Sequence, residues 1–189
     1  DPNVSLDVGG IAKGYATEKI ADQLQSEGVV HATINAGGNN RTLGDKADGA
    51  TWNVRIQNPT GSDNLMVVSE SGEESFVTSG DYERYYTATD GNRYHHIIDP
   101  STNYPASYYH SVTIVTKDSG TADCLSTTLF TMSYEEGLAT IEAYKAANPD
   151  TDVDVIWMAD KDSDVLKDCP NSKVVGDLYI AWTDGLNDH

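Results

Sequence analysis

Apolar residues recur at Ala12, Ala16, Ile20 and Leu24, the spacing of one helical face, and Gly28 supplies a stop. This predicts a helix that begins near Gly9-Gly10. Leu138, Ile141 and Tyr144 mark a second helix over 133–147, halted by Asn148-Pro149. The run 121–130, TADCLSTTLF, reads as a third. Between the helices, β-branched and aromatic runs predict strands over 29–35, 51–57, 65–69, 75–79, 111–116, 153–158 and 174–182. Asp90-Gly91 is a hairpin turn signal that pairs 82–88 with 93–98, and Asp99-Pro100 ends that pair before a turn over 101–105. Residues 70–74 read as a solvated acidic turn, 160–168 as an acidic loop and 183–189 as a frayed tail. Helices and strands mix and hairpin signals outnumber βαβ units, so the pattern predicts one α+β domain over residues 1–189.

Composition narrows the partners. The chain has 189 residues, 38% of them hydrophobic, enough for one packed core. With 30 acidic against 12 basic residues the net charge is −18, which repels nucleic acid and anionic membranes. No apolar run is long enough to span a bilayer and no signal peptide is visible. The chain enters patterned sequence at once, without an initiator Met, and so reads as a mature or excised piece. Cys124 and Cys169 form no zinc motif. Cys124 is expected to be a small buried side chain, and pairing with Cys169 is open in an oxidising compartment.

Three stretches carry candidate chemistry. In the 121–130 run, Asp123 and Thr127 stand at i and i+4 and share one helical face. Two oxygen donors on one face suit a hard cation such as Mg²⁺. The competing reading makes Asp123 the N-cap of an ordinary helix. Gly9-Gly10 at a helix start, with Lys13 one turn in, exposes backbone N–H groups that favour an anion, and equally makes a plain turn. Asn35-Ala36-Gly37-Gly38-Asn39 is a candidate nest for phosphate oxygens, or a simple turn; no Walker motif follows. His95 and His96 are adjacent in a predicted strand and point to opposite faces, so one of them reaches a given site. His95 is expected to be the satisfied one.

Five blocks in order resemble the ApbE family of flavin transferases: LDVGGIAKGYA at 6–16, INAGGN at 34–39, VTSGDYERY at 77–85, RYHHIIDPSTNYPA at 93–106 and TADCLSTTLF at 121–130. The resemblance implies a T-fold-like α+β domain with a mixed or antiparallel sheet and packed helices. It implies Mg²⁺-dependent cleavage of FAD, with FMN passing to a Ser or Thr hydroxyl of an acceptor protein and AMP released. Non-catalytic FAD binding and FAD pyrophosphatase activity are the alternatives. The implied metal positions are Gly10 (through its carbonyl), Asp123, Ser126 and Thr127. The implied FAD contacts are Asp7, Lys13, Asn35, Gly37, Gly38, Ser79, His96 and Ile97. His96 is the implied base, with Asp99 to orient it, and Asp123 the implied catalytic carboxylate. The family also implies an extracytoplasmic, lipid-anchored protein and a longer N-terminal part that contacts the FAD adenine, absent from this chain. Two positions depart from the family pattern. Cys124 replaces a small residue, and Asn103 replaces a turn glycine, a change that asparagine's tolerance of left-handed backbone accommodates.

Overall fold

The structure, a computed structural model, describes residues 2–61 and 63–187. Helix α1 (Ala12–Ser26) leads to a hairpin of β1 (Ala32–Asn35) and β2 (Asn39–Leu43). A second hairpin, β3 (Trp52–Gln57) and β4 (Asn64–Glu70), precedes β5 (Ser75–Gly80). Two short hairpins follow: β6 (Tyr85–Thr87) with β7 (Arg93–His95), and β8 (Ile98–Asp99) with β9 (Tyr104–Pro105). Strand β10 (Ser111–Thr116) enters α2 (Ser119–Phe130) and α3 (Tyr134–Ala147). Strands β11 (Asp154–Asp160), β12 (Asn171–Val175) and β13 (Leu178–Trp182) complete the described chain.

Seven strands form one sheet in the order β1-β2-β5-β10-β11-β13-β12, antiparallel at every pairing. The α+β class holds, and the sheet is wholly antiparallel. Register fixes its two faces. Val77 opposes Ile114, which opposes Val155, and these side chains bury with Trp157 against Ala122, Leu125, Leu129 and Phe130 of α2. On the other face Phe76, Val115, Ile156, Met158 and Ile180 meet Ile56 and Val68 of the β3–β4 hairpin. A sheet so covered on both faces reads as apolar runs, as in β11, rather than as alternation.

Two local devices hold the helices. Ser133 and Glu136 form a reciprocal capping box at α3. Helices α1 and α2 cross at Gly14, where an added Cβ would fall 2.1 Å from the Ser119 carbonyl oxygen and 2.5 Å from the Asp123 Cβ. Only glycine permits that approach.

Several sequence expectations change. Helix α1 starts at Ala12, after a turn through Gly9 and Gly10. The 29–35 run is a strand only from Ala32. Strand β2 was not expected, because its inward residues are polar: Asn39 is fully buried, and Arg41 is buried against Glu18 and Glu73. That pairing also removes Glu73 from the solvated cluster expected over 70–74. The 174–182 run divides into a hairpin, because Gly176 takes φ +63°. Within 160–168, Asp164–Leu166 forms a 3₁₀ turn that buries Leu166. Asp184–Leu186 does likewise and buries Leu186, so the tail is anchored there; residues 188–189 lie outside those described. Cys124 is exposed on α2, Cys169 is the buried one, and both are free. Asn103 adopts φ +60°, the left-handed turn its type tolerates.

Candidate functional site

Strand β5 brings hydroxyl chemistry to the helices. Its period of two sends Val77 and Ser79 toward α2. Ser79 Oγ lies 2.9 Å from Ser126 Oγ and 3.1 Å from Thr127 Oγ1. Ser126 Oγ also donates to the Asp123 carbonyl at 3.0 Å. Ser126 is therefore fully buried and engaged behind the helix face that Asp123 and Thr127 present.

Asp118, not Asp123, caps α2: its Oδ1 accepts the Thr121 N–H at 2.6 Å. Asp123 sits inside the helix and is 3% exposed. Its Oδ2 accepts the Gly14 N–H at 2.8 Å, in the first turn of α1. The N-cap of α1, Ile11, contributes no side-chain bond, so Asp123 supplies the missing acceptor from another helix.

Asp123 and Thr127 open into a cavity of about 180 Å³, lined also by Gly9, Lys13, Gly37, Thr78, Ser79, Gly80, Glu83, Arg84 and His96. Lys13 Nζ donates to the Gly37 carbonyl at 3.2 Å, which ties the start of α1 to the β1–β2 turn. Gly37 and Gly38 have φ +59° and +93°, so this glycine pair makes a turn that larger residues resist.

His96 contributes a polarised imidazole. Its Nδ1 lies 3.2 Å from the Arg84 carbonyl oxygen, which also accepts the His96 backbone N–H. A carbonyl only accepts, so Nδ1 carries the proton and Nε2 keeps its lone pair. Partial burial lowers the His96 pKa below its usual value, and the positive charges of Arg84 and Lys13 add to this against the Arg84 hydrogen bond. Asp99 does not orient His96; its Oδ1 is taken by the N–H and hydroxyl of Ser101. His95 faces the core as expected, with Nε2 donating to the Ala106 carbonyl at 2.8 Å and its ring edge-on to Phe130.

The remaining sequence candidates divide. Gly10 lies against Thr127, since a Cβ there would come within 3.3 Å of Thr127 Cγ2. Asn35 and Gly38 line a neighbouring polar cleft of about 380 Å³ that shares Thr78 and Glu83 with the first. Asp7 is exposed and accepts the Gly9 N–H at 2.7 Å, shaping the turn before α1. The Ile97 side chain is 6% exposed and packs in the core, away from the cavity lining. Glu83 and Arg84 were missed as lining residues; their only signal was their place between Ser79 and His96.

The donors fit a hard cation. Among the described residues no three His, Cys, Asp or Glu side chains gather as a metal cluster. One carboxylate and a hydroxyl instead face the cavity, the sparse protein contribution typical where phosphate and water complete the shell of Mg²⁺.

Comparison with known proteins decides the family. The ApbE family model matches residues 1–149, which hold every residue of the cavity lining. The chain belongs to the ApbE family. Proteins named FAD:protein FMN transferase are similar to it: that of Klebsiella pneumoniae is 36% identical over 171 residues, covering 89% of this chain and 50% of that protein. The Treponema pallidum protein of that name is 40% identical over 152 residues, covering 75% of this chain and 41% of its own length. The solved flavin transferase ApbE of Vibrio cholerae superposes with a TM-score of 0.74 at 31% identity, covering 99% of this chain and 53% of that one. The ApbE protein of Thermotoga maritima gives 0.69 at 37% identity, covering 82% and 49%. This ApbE chain thus spans about half the length of the curated relatives it matches.

Proposed function

We propose that this chain carries the catalytic face of an Mg²⁺-dependent flavin transferase, which moves FMN from FAD to a Ser or Thr hydroxyl of an acceptor protein and releases AMP. The observation that supports it most is the meeting of Asp123, Thr127, Lys13 and His96 around one cavity. Pyrophosphate cleavage gathers negative charge on phosphate oxygens, and a site for it needs fixed positive charge and donors. Asp123 and Thr127 would hold the cation, and the family resemblance adds the carbonyl of Gly10, a residue that lies against Thr127. When bound, the cation supplies charge neutralisation at the pyrophosphate. Lys13 stands across the same cavity to bind a phosphate oxygen. Ser79 and Ser126 fix the Thr127 hydroxyl from behind.

His96 Nε2 takes the proton of the acceptor hydroxyl. The hydroxyl oxygen forms a bond to the FMN phosphorus as the bond to the AMP oxygen breaks, and AMP leaves with the electron pair. A lowered pKa keeps the imidazole neutral and able to accept at neutral pH. The family resemblance further suggests an extracytoplasmic, lipid-attached protein; fractionation and lipid labelling check it. No described helix is long and apolar enough to cross a membrane.

The test is incubation of the native protein with FAD, Mg²⁺ and candidate acceptor proteins, read by mass spectrometry and AMP release. A mass gain equal to FMN on a Ser or Thr, lost without Mg²⁺, is the expected result. AMP with free FMN and no labelled acceptor would make the protein a pyrophosphatase. Bound flavin with neither product would make it a binding module.

A further inference from the structure

His110 lies outside the cavity and no step above uses it. It precedes β10, and both ring nitrogens face carboxylates: Nδ1 is 2.8 Å from Asp81 Oδ2 and Nε2 is 3.1 Å from Asp160 Oδ1. Carboxylates only accept, so both nitrogens carry protons and the ring is an imidazolium. Backbone bonds reinforce the joint, with the Asp81 N–H donating to the His110 carbonyl at 3.0 Å and the His110 N–H to the Met158 carbonyl at 2.8 Å. The joint borders a separate cavity of about 290 Å³.

Asp81 is where β5 ends and an irregular segment, residues 81–84, begins. That segment makes no strand pairing before β6, yet it carries Glu83 and Arg84 into the catalytic cavity. Its last carbonyl, Arg84, holds the His96 ring. The segment is therefore pinned at one end by His110 and delivers the base's orienting acceptor at the other.

We propose that His110 is a positioning residue for the His96 base. Its double ion pair ties Asp81 to Asp160, fixes the 81–84 segment, and so sets the Arg84 carbonyl that selects the Nε2 lone pair of His96. The inference rests on His96 being the base of the proposed transfer. The groups around His110 agree with a stable cation. Asp81 and Asp160 are its direct partners, Arg93 donates to the Asp81 carbonyl at 3.4 Å, and both ring nitrogens of His95 are engaged, by the Ala106 carbonyl and the Ile97 N–H. Tyr108 and Tyr109 complete the wall. The hydrogen bond to Asp81, aided by Asp160, raises the His110 pKa from 6.5 to about 9. The clamp is thus full at neutral pH and released as pH rises through about 9.

The test is a double-mutant cycle in the native protein, with nitrogen NMR of the His96 ring. His110→Phe is expected to lower the transfer rate about tenfold, as misplaced catalytic groups do. The KM for FAD stays within about twofold, because the phosphate-binding groups are untouched. In a His96→Ala background His110→Phe causes no further loss. The His96 ring shifts from the Nδ1-protonated tautomer to a mixture. Asp160→Ala, which severs only the partner that is 72% exposed, should move the same signals less, and it serves if His110→Phe fails to fold. Equal losses in both backgrounds, or an unchanged His96 tautomer, would overturn the proposal. If the native protein transfers no FMN, the functional reading fails by itself, while the His96 tautomer still decides the clamp.

Discussion

At the residue scale, Asp123 has two duties that different substitutions separate. Asp123→Ala removes the acceptor of the Gly14 N–H and leaves a buried donor unpaired, a cost of about 1–3 kcal/mol in unfolding free energy. Asp123→Asn keeps an oxygen for that N–H and should retain most of the stability. Both lose the charge that would hold a cation, so both should lower Mg²⁺-dependent FAD cleavage by about a hundredfold or more. Denaturation beside AMP release distinguishes the two effects; a fully active Asp123→Asn would exclude the metal role. His96 makes a second prediction. Its lowered pKa puts the acid limb of the transfer rate below pH 6.5, and His96→Ala should abolish that limb. The i, i+4 pair was legible in the sequence, because the helical period fixes which side chains share a face; adjacency separated His95 from His96, and the choice of His96 came from the family resemblance. The cap at Asp118 was not. Two aspartates precede the same apolar run, and only the fold shows which one lies at its start.

At the element scale, the closest constraint is the crossing of α1 and α2. Gly14→Ala would drive a methyl group into the Ser119 carbonyl, which is backbone and cannot rotate away. The helices must part, at a cost of about 3 kcal/mol, and the Asp123–Gly14 bond lengthens with them. Thermal unfolding and FAD binding should therefore fall together, whereas Ser133→Ala, which removes the cap of α3, should cost about 1 kcal/mol with activity kept. Long periodic elements such as α3 and β10 could be read directly from the chain. Strand β2 could not, since its inward Arg41 looks like a loop residue until Glu18 arrives from α1 and Glu73 from the turn before β5. The burial of Arg41 is satisfied by distant partners, and periodicity carries no record of them.

At the scale of the whole molecule, pH acts on two half-buried groups in adjoining windows. Burial, with the Glu70 carboxylate nearby, raises the Glu74 pKa from 4.5 to about 7. The folded state then holds this proton more tightly, and stability falls as pH rises through that interval. His110 contributes stability in full below pH 6.5 and loses it as pH rises through about 9. Asp90, Asp99 and Asp177 have lowered pKa values, so their contributions are lost only as pH falls below 3.8. Below pH 6.5 the lowered His96 pKa opposes Glu74, so the clear decline of the melting temperature should run from about pH 6.5 to about pH 9. Added salt should raise it, by screening the repulsion of a net charge of −18. Calorimetry across pH and salt tests both; a flat profile from pH 7 to pH 9 would contradict the assignment of His110. The α+β class was legible at this scale because hairpin signals are local. The strand order was not, since β1-β2-β5-β10 joins segments far apart in the chain.

The shared carboxylate has a consequence for reading descendants of this fold. A relative with this fold and no flavin transfer would still need Asp123, because the Gly14 N–H of α1 has no other acceptor among the described residues. Persistence of that aspartate through evolution therefore says little about activity. Lys13 makes one surface bond, and the backbone bond from His96 to Arg84 survives any side chain. Selection for folding alone leaves those two positions free to drift, and a lineage that had abandoned catalysis would show it there first.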